Sequence, residues 1–198
     1  MATAKDTVSA QGLERLAQLG VVHLHQKTTR FTGNKYMVNT AEGENLFTMK
    51  EQGGALSFLS RGHIRGFEIN AVDAHGMNAF SLRRPNVFMS DKVELSMNGL
   101  VVVIIRKEAT LVKPVFSIND ANDVPTLRIK GEHNVYDFKL QTVDKTTIGS
   151  ISKQYRGIKE MFTYADDYVI NFPANLDVRY KAAVIGACIF IDYRYHES

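Results

Sequence analysis

The sequence is poor in the features that mark secreted or membrane-spanning proteins. It has one cysteine, Cys188, and four prolines, and no apolar run approaches the roughly 20 residues of a transmembrane helix. A lone cysteine cannot form a disulfide within the chain, which favours a reducing compartment. The first residues lack the apolar segment of a signal peptide and the glycine needed for myristoylation. We therefore expect a cytoplasmic protein that contacts membranes only peripherally.

Motifs typical of enzymes are also missing. The sequence contains no phosphate-binding Gly-Lys-Ser loop, no Gly-x-Ser-x-Gly elbow and no His-Glu-x-x-His zinc motif. A protein that is not an enzyme is predicted. The formal net charge of +3 and the isoelectric point near 8.9 permit attraction to anionic partners such as anionic phospholipid or nucleic acid. Nucleic acid is the weaker alternative, because dedicated DNA-binding domains carry a denser basic surface.

One segment near the C-terminus is too apolar for a surface helix and too short for a membrane span. Residues 182–191 contain no polar side chain at any angle around a helix axis apart from the thiol of Cys188, so the helix must be buried on all sides. Small residues at helical spacing, including Ala182 and Gly186, leave one side thin enough for close approach of strands. The predicted core helix comprises Lys181, Ala182, Ile185, Gly186, Cys188, Phe190 and Ile191.

Most of the remaining chain shows short β-rich runs separated by turn residues. The runs are 21–26, 36–40, 46–50, 66–72, 79–83, 93–97, 100–107, 115–119, 126–130, 136–142 and 148–154. Closing these strands into a barrel removes the sheet edges and supplies an apolar lining for the helix. We predict a mainly β fold with some α: a closed antiparallel barrel wrapped around the C-terminal helix. It forms one domain over residues 11–198, after a flexible segment at 1–10. A short helix at 13–19 is expected to pack against the outside of the barrel.

Several segments together resemble the phospholipid scramblase family. The densest are GSISK at 149–153, FTYAD at 162–166, INFP at 170–173, LDV at 176–178 and IGACIFID at 185–192. The resemblance implies a tubby-like fold of about 12 strands around a central helix. It also implies calcium-responsive, ATP-independent movement of phospholipids between leaflets. The expected location is the cytoplasmic face of membranes, with a nuclear pool and protein partners as further possibilities.

The resemblance also implies a calcium segment just before the C-terminal helix, beginning at Tyr164. Calcium takes roughly six to eight oxygen ligands, and an EF-hand pattern laid from Tyr164 misses most of its acids. The weak calcium candidates are Asp166, Asp167, Asn171, Asn175 and Asp177. In the alternative interpretation, Asn175 and Asp177 cap the helix while Asp166 and Asp167 are solvated turn acids.

Basic residues on adjacent hairpins are candidates for binding anionic lipid headgroups. The set is Arg61, Arg65, Arg83, Arg84, Arg106, Lys107, Lys153, Arg156 and Lys159. The alternative is an ordinary solvated barrel exterior, because cations attract a membrane together only when they share a face. His23 and His25 would share a strand face as a metal pair requires, but no further ligand is close in sequence.

Two functions follow from these features. The first is the scramblase activity that the resemblance implies. The second is a tubby-like binding module for anionic lipid, protein or nucleic acid that moves no lipid. The buried helix favours the second, because extracting it would empty the core.

Overall fold

The computed structural model describes residues 5–29, 33–52, 66–85, 91–132, 136–154 and 167–195. Within these ranges lie two helices, α1 (Lys5–Gln18) and α2 (Val178–Tyr195), and twelve strands. The strands are β1 (Val21–Thr29), β2 (Gly33–Asn39), β3 (Asn45–Gln52), β4 (Phe67–Val72), β5 (Asn78–Arg84), β6 (Lys92–Met97), β7 (Leu100–Lys107), β8 (Val115–Asp120), β9 (Pro125–Gly131), β10 (Asp137–Thr142), β11 (Thr147–Gln154) and β12 (Asp167–Asn171).

The twelve strands form one closed antiparallel barrel. Each strand pairs with its neighbours in sequence, and β12 pairs with β1 to complete the circle. The barrel therefore leaves no strand edge unpaired among these strands, as the turn-separated runs predicted. Odd-numbered strands run from the end where α2 begins, called here the upper end, to the lower end where α2 finishes. Even-numbered strands run back.

Helix α2 occupies the interior of the barrel, as its composition required. Every residue of 181–193 is buried, and the inward residues of the strands form one continuous core with it. Phe116 of β8 packs edge-on against Phe190 of α2, with the ring centroids 5.4 Å apart. The buried part of α2, residues 181–193, is about 20 Å long, which lies within the range of roughly 17 to 30 Å spanned by strands of five to nine residues. The predicted barrel around a buried C-terminal helix is confirmed.

The thin side of α2 is what lets the strands close around it. A Cβ added at Gly186 would lie 2.7 Å from Cδ2 of Leu82 and 3.3 Å from Cδ1 of Ile105. These distances are shorter than van der Waals contact, so the side chains of Leu82 and Ile105 occupy the space that a side chain at 186 would need. A larger residue at 186 would force these two side chains to move.

The N-terminus of α2 is capped by Asp177 and not by Asn175, so the sequence interpretation was wrong at Asn175. Oδ1 of Asp177 accepts a hydrogen bond from the backbone N–H of Arg179 at 2.9 Å, and its carbonyl accepts from the N–H of Tyr180 and of Lys181. The same carboxylate pairs with the guanidinium of Arg179 at 2.8 Å. These bonds lower the pKa of Asp177, with the Arg179 side chain as the main cause. Asn175 lies in the preceding turn.

Helix α1 contacts α2 directly instead of packing only on the exterior of the barrel. The ammonium of Lys181, which is fully buried, donates to the carbonyls of Leu16 at 3.3 Å, Ala17 at 2.6 Å and Leu19 at 2.8 Å. A fourth bond reaches the carbonyl of Ala174 at 2.7 Å. Lys181 thus satisfies carbonyl groups at the C-terminus of α1, where the helix dipole also favours a cation. Burial lowers the pKa of Lys181.

Cys188 provides a direct test of the enclosed helix. Its thiol is fully buried within α2, and burial raises its pKa well above the usual value, so the reactive thiolate is suppressed. We expect no reaction of native protein with a water-soluble disulfide reagent, and one thiol per chain in guanidinium. Fast labelling of the native protein would contradict the position of α2.

Lys181→Met tests the junction between α1 and α2. The substitution keeps the length of the side chain but removes the donor to the carbonyls of Ala17, Leu19 and Ala174, so the free energy of unfolding should fall by about 3 kcal/mol. Urea denaturation measures the loss, and limited proteolysis should cut within α1 sooner. The matched control is Lys139→Met, whose half-exposed side chain forms a surface ion pair with Glu132 and should change stability little. Equal effects of both substitutions would refute the role of Lys181.

Candidate functional site

The implied calcium segment continues into a strand of the barrel. Asp167 begins β12, where only 8% of the residue is exposed, so it is not a solvated turn acid. Its carboxylate Oδ1 lies 2.5 Å from Nδ1 of His25, the residue directly opposite on β1. The two residues are 142 positions apart, so only the barrel closure brings them together. Asp166 and Tyr164 lie outside the described residues.

The other described calcium candidates point to separate partners. Asn171 ends β12, and its Nδ2 donates to Oγ of Ser150 at 3.2 Å. Asp177 caps α2, and Asn175 occupies the turn before it. Across the described ranges, no three His, Cys, Asp or Glu side chains are gathered closely enough to hold a metal ion. The rings of His23 and His25 are tilted by 49° with centroids 6.3 Å apart, and among the described residues these two do not form a metal-binding group with the neighbouring Asp167.

Strand alternation divides the predicted basic set between the two faces of the barrel wall. On β5, Phe80 and Leu82 face the core, so Arg84 also points inward while Arg83 is exposed. Arg84 Nη2 lies 2.5 Å from Oδ1 of Asp91, and its guanidinium lies 5.3 Å from the ring centroid of Tyr193. Arg84 therefore belongs to the barrel's lower mouth.

The same alternation applies to β7 and β11. Lys107 shares the inward row of Val103 and Ile105, at the lower end of its strand. Lys153 follows Ile151 by two positions, and its ammonium lies 5.6 Å from the centroid of the buried Tyr168 ring.

Arg106 points outward but already has a carboxylate partner. Its Nε–H is shared between the two carboxylate oxygens of Asp123, at 2.9 and 3.0 Å, and its Nη2 also donates to this carboxylate. Arg106 is the main reason that the pKa of Asp123 falls to about 2. A lipid headgroup would therefore have to compete with Asp123 for the guanidinium of Arg106. The remaining members of the set, Arg61, Arg65, Arg156 and Lys159, lie outside the described residues.

Sequence reasoning missed a polar cluster around the last turns of α2. The carboxylate of Asp192, fully buried, accepts hydrogen bonds from the hydroxyls of Tyr168 at 2.7 Å and Tyr36 at 3.3 Å. Asp91 bridges Arg84 and Arg194, whose Nε lies 3.4 Å from Oδ2. These contacts fix α2 at the lower end by polar bonds, as Lys181 does at the upper end. The signal that could have found them is the inward position of Tyr36, Tyr168 and Arg84 on their strands.

Neither helix in the described part of the chain has the length and sustained apolarity needed to cross a bilayer.

Comparison with known proteins gives a consistent set of relatives. A protein-family model described as Scramblase matches residues 2–198. The chain is 28% identical to phospholipid scramblase family member 5 of Homo sapiens, over 94% of this chain and 77% of that protein. It is 30% identical to phospholipid scramblase 1 of Homo sapiens and 29% identical to phospholipid scramblase 2 of Bos taurus. Both matches also cover 94% of this chain, with 66% and 71% of the respective relatives.

Among solved structures, a protein from Arabidopsis thaliana determined by X-ray crystallography is similar in fold. The TM-score is 0.51 at 13% sequence identity, covering 86% of this chain and 88% of that chain. At this identity the likeness extends to the fold alone.

Proposed function

The chain belongs to the scramblase family, and on that premise we propose that it binds the surface of anionic phospholipid membranes with its barrel intact. The observation that carries the proposal is the complete burial of residues 181–193 inside the barrel. Removing α2 would expose its apolar surface and break the bonds of Lys181 and Asp192. The cost would be comparable to most of the free energy of unfolding of a domain, which is about 5–15 kcal/mol. Lipid contact therefore falls to the strands and loops, at the cytoplasmic face of the membrane.

The charge of the chain supports an anionic surface as the partner. The net charge is +3, and each cation close to such a surface contributes about 1 kcal/mol. Exposed basic side chains outside ion pairs are the ones that matter, because Arg84 and Arg106 are already engaged by Asp91 and Asp123. Binding of this kind weakens as salt rises.

A second candidate function comes from the names of the relatives, which are phospholipid scramblases. In this candidate the chain moves phospholipid between leaflets, without ATP and in response to calcium. Its support is family membership. Movement of lipid by an intact barrel requires local distortion of the bilayer at the protein surface, since α2 remains inside.

A vesicle experiment separates the two functions. We expect the protein to sediment with phosphatidylserine-containing vesicles and not with phosphatidylcholine vesicles, because its affinity is electrostatic, and added salt should release it. The same vesicles carrying a fluorescent lipid report movement between leaflets through dithionite quenching, with and without calcium. Failure to sediment at low salt refutes the binding proposal, whereas calcium-dependent loss of asymmetry establishes the second function.

The thiol of Cys188 adds a control for the state of the barrel. If the protein binds as an intact fold, Cys188 should stay unreactive on the vesicles, as it should in solution. Labelling that appears only with anionic vesicles would mean that α2 leaves the barrel, which contradicts the proposed mode of binding.

We propose that the dissociation constant for calcium is above about 10⁻⁴ M. Oδ1 of Asp167 is engaged by His25 and Oδ1 of Asp177 by the start of α2, while Asn171 is held by the bond from its Nδ2 to Ser150, so these three side chains do not converge on one ion. Isothermal titration calorimetry measures the affinity. Asp167→Asn should lower any residual calcium binding, whereas the turn variant Asp144→Asn should leave it unchanged. Tight binding by the wild-type chain would overturn the proposal.

A further inference from the structure

Large aliphatic side chains are exposed at both ends of the barrel. At the lower end, Leu111 is fully exposed and Val112 is 89% exposed, side by side on the loop that joins β7 to β8. At the upper end, Leu100 is 71%, Val143 60%, Val124 56% and Val101 40% exposed, on three different hairpins. Among the described residues, Leu111 and Val112 are the adjacent pair that touches least of its own protein, and such a pair needs an explanation.

The loop that carries Leu111 and Val112 is held by hydrogen bonds at its base. The N–H of Glu108 donates to the carbonyl of Val115 at 2.8 Å, and the N–H of Gly131 donates to the carbonyl of Pro114 at 2.8 Å. A Cβ at residue 131 would lie 2.7 Å from Cγ of Pro114, so only glycine allows β9 to seat the loop this closely.

A further hydrogen bond closes the tip of the same loop. The hydroxyl of Thr110 donates to the carbonyl of Lys113 at 2.6 Å, on either side of the two aliphatic residues. The loop therefore presents Leu111 and Val112 in a fixed position, which lowers the entropy lost when they enter another environment.

The charges around the two ends differ in sign. Lys113 follows Val112 directly, and Lys107 and Lys130 lie at the base of the same loop. Within the described part of the chain, none of these three lysines is paired with a carboxylate. Glu108, the acid of the loop, is engaged by Arg128 at 3.4 Å.

The upper turns place acids beside their aliphatic residues. Asp144 follows Val143, and hydrogen bonds, first that from Thr142, lower its pKa so that it stays charged. Asp120 accepts from the N–H groups of Asn122 and Val124 in the neighbouring turn. An anionic surface would be repelled by the upper end and attracted by the lower loop.

We propose that the loop of residues 108–114 is the membrane-inserting element of this protein. Leu111 and Val112 enter the boundary between headgroups and acyl chains, while Lys113, Lys107 and Lys130 contact anionic headgroups. This proposal rests on the membrane binding proposed above and assigns it to one place. A protein partner is disfavoured, because two aliphatic side chains cover far less than the roughly 800 Å² per partner of a stable interface.

The absence of tryptophan from the chain allows a clean optical test. Leu111→Trp introduces a single reporter into the loop, and Leu100→Trp places the matched reporter at the upper end. On phosphatidylserine-containing vesicles, the emission of Leu111→Trp should shift to the blue and be quenched by brominated acyl chains. The emission of Leu100→Trp should remain that of a solvated indole. Quenching of the upper reporter alone would overturn the assignment.

Affinity measurements with the native residues complete the test. Leu111→Ala combined with Val112→Ala should weaken vesicle binding roughly 30-fold, if about half of the removed apolar surface is buried in lipid. Leu100→Ala combined with Val143→Ala should leave it within about twofold, since neither residue enters the bilayer. Lys113→Gln should weaken binding about fivefold on anionic vesicles and lower its salt dependence.

The outcomes distinguish this inference from the proposed function. If the wild-type chain binds vesicles and the Leu111/Val112 variant binds equally well, the loop assignment fails while membrane binding stands. If the wild-type chain binds no vesicle, both fail. Loss of binding to a purified protein by the loop variant, with vesicle binding unchanged, would assign the loop to a protein partner instead.

Discussion

The structure depends on the packing of helix α2 against the inward side chains of the barrel that surrounds it. The fit works because Gly186 leaves room against α2 for the side chains of Leu82 on β5 and Ile105 on β7, while Phe190, one turn further along the helix, packs against Phe116. A core of this kind cannot be assembled in parts, because the inward rows of the strands have no partner without the helix. The helix in turn has no polar face to show to water. The barrel and α2 are therefore expected to fold together as one cooperative unit.

Polar bonds hold α2 at both ends of this apolar contact. At the upper end the buried ammonium of Lys181 collects carbonyls from α1 and from the turn before α2, without a carboxylate partner among them. At the lower end Asp192 accepts from Tyr36 and Tyr168. Apolar packing alone would tolerate a helix that slides along its axis, since dispersion forces are not directional. Satisfied polar groups at fixed heights remove that freedom, because each displacement would leave a buried charge unpaired.

The fold could be predicted from sequence where pattern alone decides the environment, as at residues 182–191, whose apolar character left only the interior of a sheet. Prediction from sequence fails where the environment of a residue depends on neighbours that are distant along the chain. From sequence, Asp167 is expected to be either a calcium ligand or a solvated turn acid, because its partner His25 is 142 residues away and comes close only through the pairing of β12 with β1. The predicted basic set likewise includes both Arg83 and Arg84, although a strand places adjacent residues on opposite faces. The inward position of Arg84 could be predicted from its two-residue spacing from Phe80 and Leu82. The pairing of Asp167 with His25 could not, because it depends on which residues of β1 and β12 lie opposite each other.

A filled interior also constrains how such a protein can meet a membrane. Ligands that enter a barrel need a cavity, and the space here is taken by α2, so interaction is left to the outer wall and the two rims. The upper rim is occupied in part by α1 and by short turns whose acids are fixed by hydrogen bonds. The lower rim carries the loop with Leu111 and Val112 beside Lys113, which has no carboxylate partner among the described residues. Electrostatics orient the approach of a charged body before contact, and aliphatic insertion acts only after contact. The two effects point to the same end of the barrel, so a single orientation satisfies both.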